Sequence, residues 1–333
     1  MHTNRVAVLG AGNWGTALSL LLAKKGIPIT LWAWDPAQAE TIRQTRMNPF
    51  LPGFEIPSIV DVTSSIPEAV DGADAVIFVT ISSAATDVAC ELNSCLSSNV
   101  PIISATKGLN SETGLTVSQI LRTILPSETK ICALSGPNLA VEVAHGVPTA
   151  TVAACEDESV ARDVQALLMS PTLRVYTNTD VIGVELAGAL KNAIAIGAGI
   201  VDGLGYGDNT KAALLTRGIA EITRLGIKLG ARQSTFMGLA GIGDLMVTCA
   251  SLLSRNHRVG LGLGQGRKLD EIMREIGQVA EGVPTARAAY NLSRKLDVPM
   301  PIIDQVYHVL FNAKSPQDAL TDLMCREPRD EVW

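Results

Sequence analysis

Nothing in this chain is laid out for a disulfide framework or a metal centre. Its six cysteines, Cys90, Cys95, Cys132, Cys155, Cys249 and Cys325, never fall in a C-x-x-C pair, and none groups with the four histidines as a ligand set would. A zinc site is not expected, and free thiols fit a reducing compartment. Basic runs are missing as well: 27 Lys and Arg are scattered among 33 Asp and Glu, for a net charge of −6. A nucleic-acid partner, which needs a local excess of positive charge, is therefore not expected. An anionic substrate would have to be met by cations gathered in one place against the average field. No apolar leader opens the chain, because MHTNRVAVLGAGNWG passes straight into a strand pattern; the expected location is cytoplasmic. The longest apolar stretch, 181–201, carries Glu185, Lys191 and Asn192. Burying its two ionisable groups in lipid would cost roughly 2.5–3.5 kcal/mol each, so a core helix is expected there rather than a membrane span. Internal repeats and low-complexity segments are also absent.

What is present is a large apolar fraction, 47% of 333 residues, with 18% charged. That is enough for about two domains with sizeable cores. In the first half, apolar β-branched runs at 5–9, 29–34, 74–80, 101–105 and 131–134, with additions at 149–154 and 173–176, alternate with helical stretches such as 14–25 and 37–46. Strands apolar throughout are covered on both faces, and their alternation with helices predicts an α/β fold: a Rossmann-type, doubly wound, mainly parallel sheet. Beyond about residue 180 the period is helical, at 181–202, 210–229, 239–249, 256–264, 269–276, 283–296 and 302–312. The expected organisation is a dinucleotide-binding domain, 1–180, followed by an all-helical substrate-binding domain, 181–333. The polar tail after Pro316 is expected to fray.

Gly10-Ala11-Gly12-Asn13-Trp14-Gly15 is a G-x-G-x-x-G placed between the first strand and the first helix. There, Gly10 permits a tight turn, Gly12 lets the backbone approach a pyrophosphate and Gly15 lets helix and strand pack closely. The helix start adds free N–H groups and partial positive charge. Asp35 follows Gly15 by 20 residues, the spacing of a carboxylate that accepts from the adenosine ribose hydroxyls and repels a 2′-phosphate. NAD is thereby favoured slightly over NADP. Asp35 could equally do no more than start a turn before Pro36, and Trp34 could flank the adenine or simply pack.

Lys191 lies mid-helix among apolar residues, where burial disfavours the ammonium form and suits a lysine to acid–base work. The bland alternative is a salt-bridged or snorkelling side chain. Asn192 adds an amide able to orient a substrate or a backbone group. Lys107-Gly108 and Ser135-Gly136-Pro137-Asn138 each follow a strand, at the sheet edge where ligands bind in such folds. Gly241-Ile242-Gly243-Asp244 and Ser254-Arg255-Asn256 fall in the helical half, with Arg255 offering a planar fork suited to phosphate.

These segments together resemble the bacterial NAD(P)-dependent glycerol-3-phosphate dehydrogenases over essentially the whole chain. The likeness rests on GAGNWGTAL at 10–18, ATKGL at 105–109, SGPNLAVEVAHGVPTA at 135–150, ELAGALKNAIAIGAGIVDGLGYGDNTKAALLTRG at 185–218, GLAGIGDLMVTC at 238–249, SRNHRVGLGLGQG at 254–266 and VAEGVPTA at 279–286. It implies reversible hydride transfer between a nicotinamide and C2 of dihydroxyacetone phosphate or sn-glycerol 3-phosphate, feeding glycerophospholipid synthesis. It also implies residue roles. Lys191 matches the proton acceptor and Asp244 the carboxylate beside it. Lys107 matches a contact to substrate and cofactor. Gly136 and Asn138 match substrate contacts, and Ser254, Arg255 and Asn256 the phosphate-binding run, with Arg255 also near the cofactor. Ala140, Trp14, Val279 and Glu281 match cofactor-lining positions. Three departures stand out: Asn138-Leu139 where the family usually has Ser-Phe, Val79-Thr80-Ile81-Ser82-Ser83 for Val-Pro-Ser, and Trp34-Asp35 where many members carry arginines. A related reductase acting on a carboxylate, or an NAD-binding protein without turnover, are the rival readings. The oligomeric state is open, with a homodimer as the candidate assembly.

Overall fold

The structure, a computed structural model, describes residues 4–328, 330 and 331. Ten strands form in chain order: β1 (Val6–Leu9), β2 (Ile29–Trp32), β3 (Met47–Asn48), β4 (Leu51–Glu55), β5 (Val60–Thr63), β6 (Ala75–Phe78), β7 (Ile102–Ser104), β8 (Ile131–Ser135), β9 (Thr149–Ala154) and β10 (Leu173–Asn178). Eight of them make one sheet in the order β10-β9-β8-β7-β6-β1-β2-β5. From β8 through β5 every pairing is parallel; β9 runs antiparallel to β8, and β10 follows β9. The doubly wound, mainly parallel sheet expected from the sequence is therefore present. β1 is buried throughout, with Val6 and Val8 facing one core cluster and Ala7 and Leu9 the other. A strand sandwiched between two helical layers has no face to leave polar, which explains its unbroken apolar run.

Two features have no counterpart in the sequence reading. β5 is an edge strand with Asp61 exposed, and β3–β4 is a small hairpin outside the main sheet. Both are short and mixed in polarity, so their pattern carries little signal.

After β10 the elements among the described residues are all helical. The Val181–Gly203 helix lies at the centre, capped by Asp180, whose carboxylate accepts from Gly183 N at 3.0 Å. Its length and apolarity would suffice for a membrane span, yet 94% of its most apolar window is buried inside the protein. Helices Asp208–Lys228, Asp244–Ala250, Arg255–Gly264, Gly282–Leu296 and Pro301–Phe311 pack around it. Glycines bring one of these unusually near: a Cβ on Gly260 would lie 1.9 Å from Ile196 O, and one on Gly199 2.0 Å from His257 O. Glycine's helix penalty of roughly 1 kcal/mol is outweighed by that backbone-to-backbone packing. Glu185 ties the central helix to the sheet half, accepting from Thr116 Oγ1 at 2.8 Å and Ser118 N at 2.9 Å.

The expected frayed tail is a correction. Pro316–Met324 is a helix, with Pro316 in its first turn and Ser315 accepting from Asp318 N at 3.0 Å. Ala319 is buried in the helical core and Leu323 packs against it. A cap and one apolar stripe suffice to order a segment that is polar on average.

Candidate active site

The glycine turn lies where the sheet order reverses, with β2 on one side of β1 and β6 on the other. Crevices of this kind are where open α/β sheets bind ligands. Gly10 adopts φ +132°, and a Cβ there would sit 2.5 Å from Val79 O, at the end of β6. A Cβ on Gly15 would sit 1.9 Å from Gly10 O, whereas one on Gly12 would meet nothing within 4 Å. The turn is thus closed toward the protein and open at Gly12. Gly12 caps the Asn13–Lys24 helix without any side-chain bond, and no acidic residue occupies the first turn. Backbone N–H groups at Asn13 and beyond are left for an anion. Trp14 is partly buried against the adjoining core, and so is Ala140 at the start of the Ala140–His145 helix.

A residue that sequence reasoning missed holds this turn. Asn48 is fully buried; its Nδ2 donates to Ala11 O at 2.9 Å and Thr16 Oγ1 at 2.7 Å, and its Oδ1 accepts from Phe50 N at 3.0 Å. Gln38 Nε2 donates to the same Ala11 carbonyl at 2.7 Å. Nothing in the local pattern around residue 48 announces this, because its partners are distant in sequence.

At the end of β2, Asp35 Oδ1 accepts from Ala37 N at 2.9 Å and caps the Pro36–Thr45 helix. The turn-starting role is therefore real, and the second oxygen has no partner among the described residues. Trp34 stands in solvent, 79% exposed.

Two lysines grip one carboxylate. Lys191 Nζ donates to Asp244 Oδ1 at 2.8 Å and to Thr248 Oγ1 at 2.6 Å. Lys107 Nζ donates to Asp244 Oδ2 at 2.7 Å, Gly136 O at 2.9 Å and Asn138 Oδ1 at 2.6 Å. Asp244 is 1% exposed and Lys191 5%. It opens the Asp244–Ala250 helix directly after a π-helical turn, Leu239–Gly243. Burial, opposed by Asp244 and aided by Lys191, brings the Lys107 ammonium down to about 8. An ammonium has three N–H donors. Among the described residues all three of Lys107 are engaged, while Lys191 keeps one free. Because Asn138 turns its oxygen to Lys107, its Nδ2 is left buried without a partner. Thr248, one helical turn beyond Asp244, is a second missed member of the cluster.

The remaining residues form a second polar chain, starting at Asn192 beside Lys191. Asn192 Oδ1 accepts from Asn256 Nδ2 at 2.8 Å, and Asn256 Oδ1 accepts from Gly282 N at 2.8 Å. Ser254 caps the Arg255–Gly264 helix by accepting from His257 N at 3.2 Å. Behind that turn, buried His257 pairs with Asp202 at 2.7 Å, and Lys211 meets the same Asp202 oxygen at 2.6 Å. Burial lowers the Arg255 guanidinium while Glu281 opposes it, and among the described residues Arg255 makes no hydrogen bond. Glu281, two residues past half-buried Val279, is raised by burial against the pull of Ser82 and Arg255.

The family model described as "NAD-dependent glycerol-3-phosphate dehydrogenase N-terminus" matches residues 5–161, and the corresponding C-terminal model matches 180–321. A Geobacter sulfurreducens protein named glycerol-3-phosphate dehydrogenase [NAD(P)+] is 48% identical over 99% of this chain and 100% of its own. A Citrifermentans bemidjiense protein of the same name is 50% identical over 98% of each. Among solved structures, glycerol-3-phosphate dehydrogenase from Coxiella burnetii superposes with a TM-score of 0.94 at 36% identity, covering 97% of this chain and 99% of that one. A ketopantoate reductase from Ralstonia eutropha shares the fold alone, at 17% identity and a TM-score of 0.63. With full-length relatives at this identity and both family models in order along it, the chain belongs to the NAD-dependent glycerol-3-phosphate dehydrogenase family.

Proposed function

We propose that this chain is an NAD(P)-dependent glycerol-3-phosphate dehydrogenase that interconverts dihydroxyacetone phosphate and sn-glycerol 3-phosphate. One observation carries the reading: Lys191 and Lys107 share buried Asp244, with Lys107 just beyond the end of β7 in the sheet that carries the glycine turn. Residues 1–180 act as the dinucleotide-binding domain and 181–333 as the substrate-binding domain. The open side of Gly12, the uncapped helix start and the spare oxygen of Asp35 fit a dinucleotide's diphosphate and ribose. A bound nicotinamide supplies or takes the hydride.

The chain's own residues do the rest. As carbonyl C2 is reduced, negative charge grows on its oxygen, and the spare N–H of Lys191 donates to it and then gives up its proton. In the oxidation direction the neutral amine removes the proton. Lys107, with every donor engaged, serves as a fixed positive charge held against Asp244. The unpartnered Nδ2 of Asn138 offers a donor to a substrate hydroxyl. Arg255 and the free N–H groups at the start of its helix meet the phosphate, supplying remote binding energy that fixes C2 in place. The setting fits a cytoplasmic supply of glycerol 3-phosphate for glycerophospholipids.

Reduction of dihydroxyacetone phosphate, followed by NADH and NADPH absorbance beside a panel of 2-oxoacids, tests the reading. Arg255→Ala should raise the KM for the phosphorylated substrate at least tenfold, the worth of about 1.4 kcal/mol. Preferential turnover of an oxoacid would favour a carboxylate reductase instead.

A further inference from the structure

Glu281 stands immediately before the Gly282–Leu296 helix, yet both of its oxygens are held by one residue of the sheet half. Ser82 N donates to Oε1 at 2.9 Å and Ser82 Oγ to Oε2 at 2.5 Å. Ser82 is buried in the turn after β6. Gly108, next to Lys107, closes over this contact: a Cβ there would lie 2.5 Å from Ser82 Cβ and 3.1 Å from Glu281 Oε2. The hydrogen bond from Gly282 N to Asn256 Oδ1 draws residue 281 alongside residue 255. Even so, Glu281 and Arg255 form no ion pair among the described residues. A carboxylate beside a largely buried guanidinium ordinarily closes a two-pronged pair with it, which would occupy the fork that an incoming anion needs.

We propose that Ser82 is a positioning residue that holds the Glu281 carboxylate off Arg255, so that the guanidinium stays open for the substrate phosphate. The proposal rests on the reading of Arg255 as a phosphate-binding residue. Glu281 remains close enough to favour the cationic form of Arg255 without competing for its donors.

The test uses Ser82→Ala, Glu281→Gln, the double variant and Arg255→Ala. The readouts are the KM for dihydroxyacetone phosphate at saturating cofactor and the inhibition constant of inorganic phosphate. Removing the Ser82 hydroxyl releases Oε2 of Glu281 while the backbone N–H keeps Oε1, and the released oxygen can turn to Arg255, so both constants should rise about tenfold while kcat changes less than about threefold, a tenfold rise being about 1.4 kcal/mol. In the double variant the neutral amide cannot form that pair, and both constants should return to those of Glu281→Gln alone. This rescue could not occur if Ser82→Ala merely disrupted the fold. Unchanged constants in Ser82→Ala, or a rise that the double variant does not relieve, would overturn the proposal. Should Arg255→Ala leave both constants unchanged, the phosphate-binding reading falls and the proposal with it. A rise in Arg255→Ala with none in Ser82→Ala defeats the proposal alone.

Discussion

Lys191 and Asp244 meet at 2.8 Å, both buried, although 53 positions separate them in the chain. The contact joins the middle of the central helix to the first turn of another. It converts a lysine that could have been a plain core ion pair into a member of a shared cluster, because Lys107 from the sheet half takes the other carboxylate oxygen.

Replacing Lys191 with alanine should lower turnover by about 10²–10⁴, the scale for a positioned acid–base group. Cofactor binding, read by NADH fluorescence, should be unaffected, because the glycine turn lies elsewhere. Near-normal turnover would remove Lys191 from the role.

Asp244→Asn keeps the shape but leaves two buried ammonium groups facing each other. Removing one partner of a buried ion pair typically costs about 3–5 kcal/mol. A clear drop in thermal midpoint should accompany the loss of activity; an unchanged midpoint would mean the lysines find other partners.

The pH profile should carry the mark of Lys107. Its proton leaves at about 8 in the folded protein, against 10.5 for an ordinary lysine. The ammonium, and its attraction for an anionic substrate, is present below that value and is lost as pH rises through it. kcat/KM should therefore fall above about pH 8. Lys107→Arg, which does not titrate there, should be slower overall but lack that limb.

Asp35→Ser should shift selectivity toward NADPH, because a hydroxyl does not repel a 2′-phosphate. The change should barely affect stability, since serine caps the Pro36–Thr45 helix about as well. A wild-type enzyme that strongly prefers NADPH would remove Asp35 from the ribose-reading role.

Asn48→Ala would leave the Ala11 carbonyl to Gln38 alone and strand Phe50 N. We expect about 1–3 kcal/mol of lost stability and a higher KM for the cofactor with kcat largely kept. Equal damage to kcat would show that the turn does more than hold the dinucleotide.

The alternation of apolar strands with helices, the loss of strand pattern near residue 180 and the G-x-G-x-x-G were all legible in the sequence. Each is a local signal, written by residues that burial or a tight turn constrains within a dozen positions. The lysines, Asp244 and Arg255 could be named from the chain through family likeness. Their arrangement could not, because it depends on which helix packs against which strand end. The sharing of Asp244, the saturation of Lys107 and the spare donor of Lys191 exist only when segments from both halves converge. Asn48, Thr248 and the Ser82–Glu281 clasp were invisible for the same reason: hydrogen bonds between residues distant in the chain leave no periodicity behind. The ordered Pro316–Met324 tail also came from tertiary packing, where one buried alanine and a serine cap outweighed an average polarity that by itself reads as loose chain.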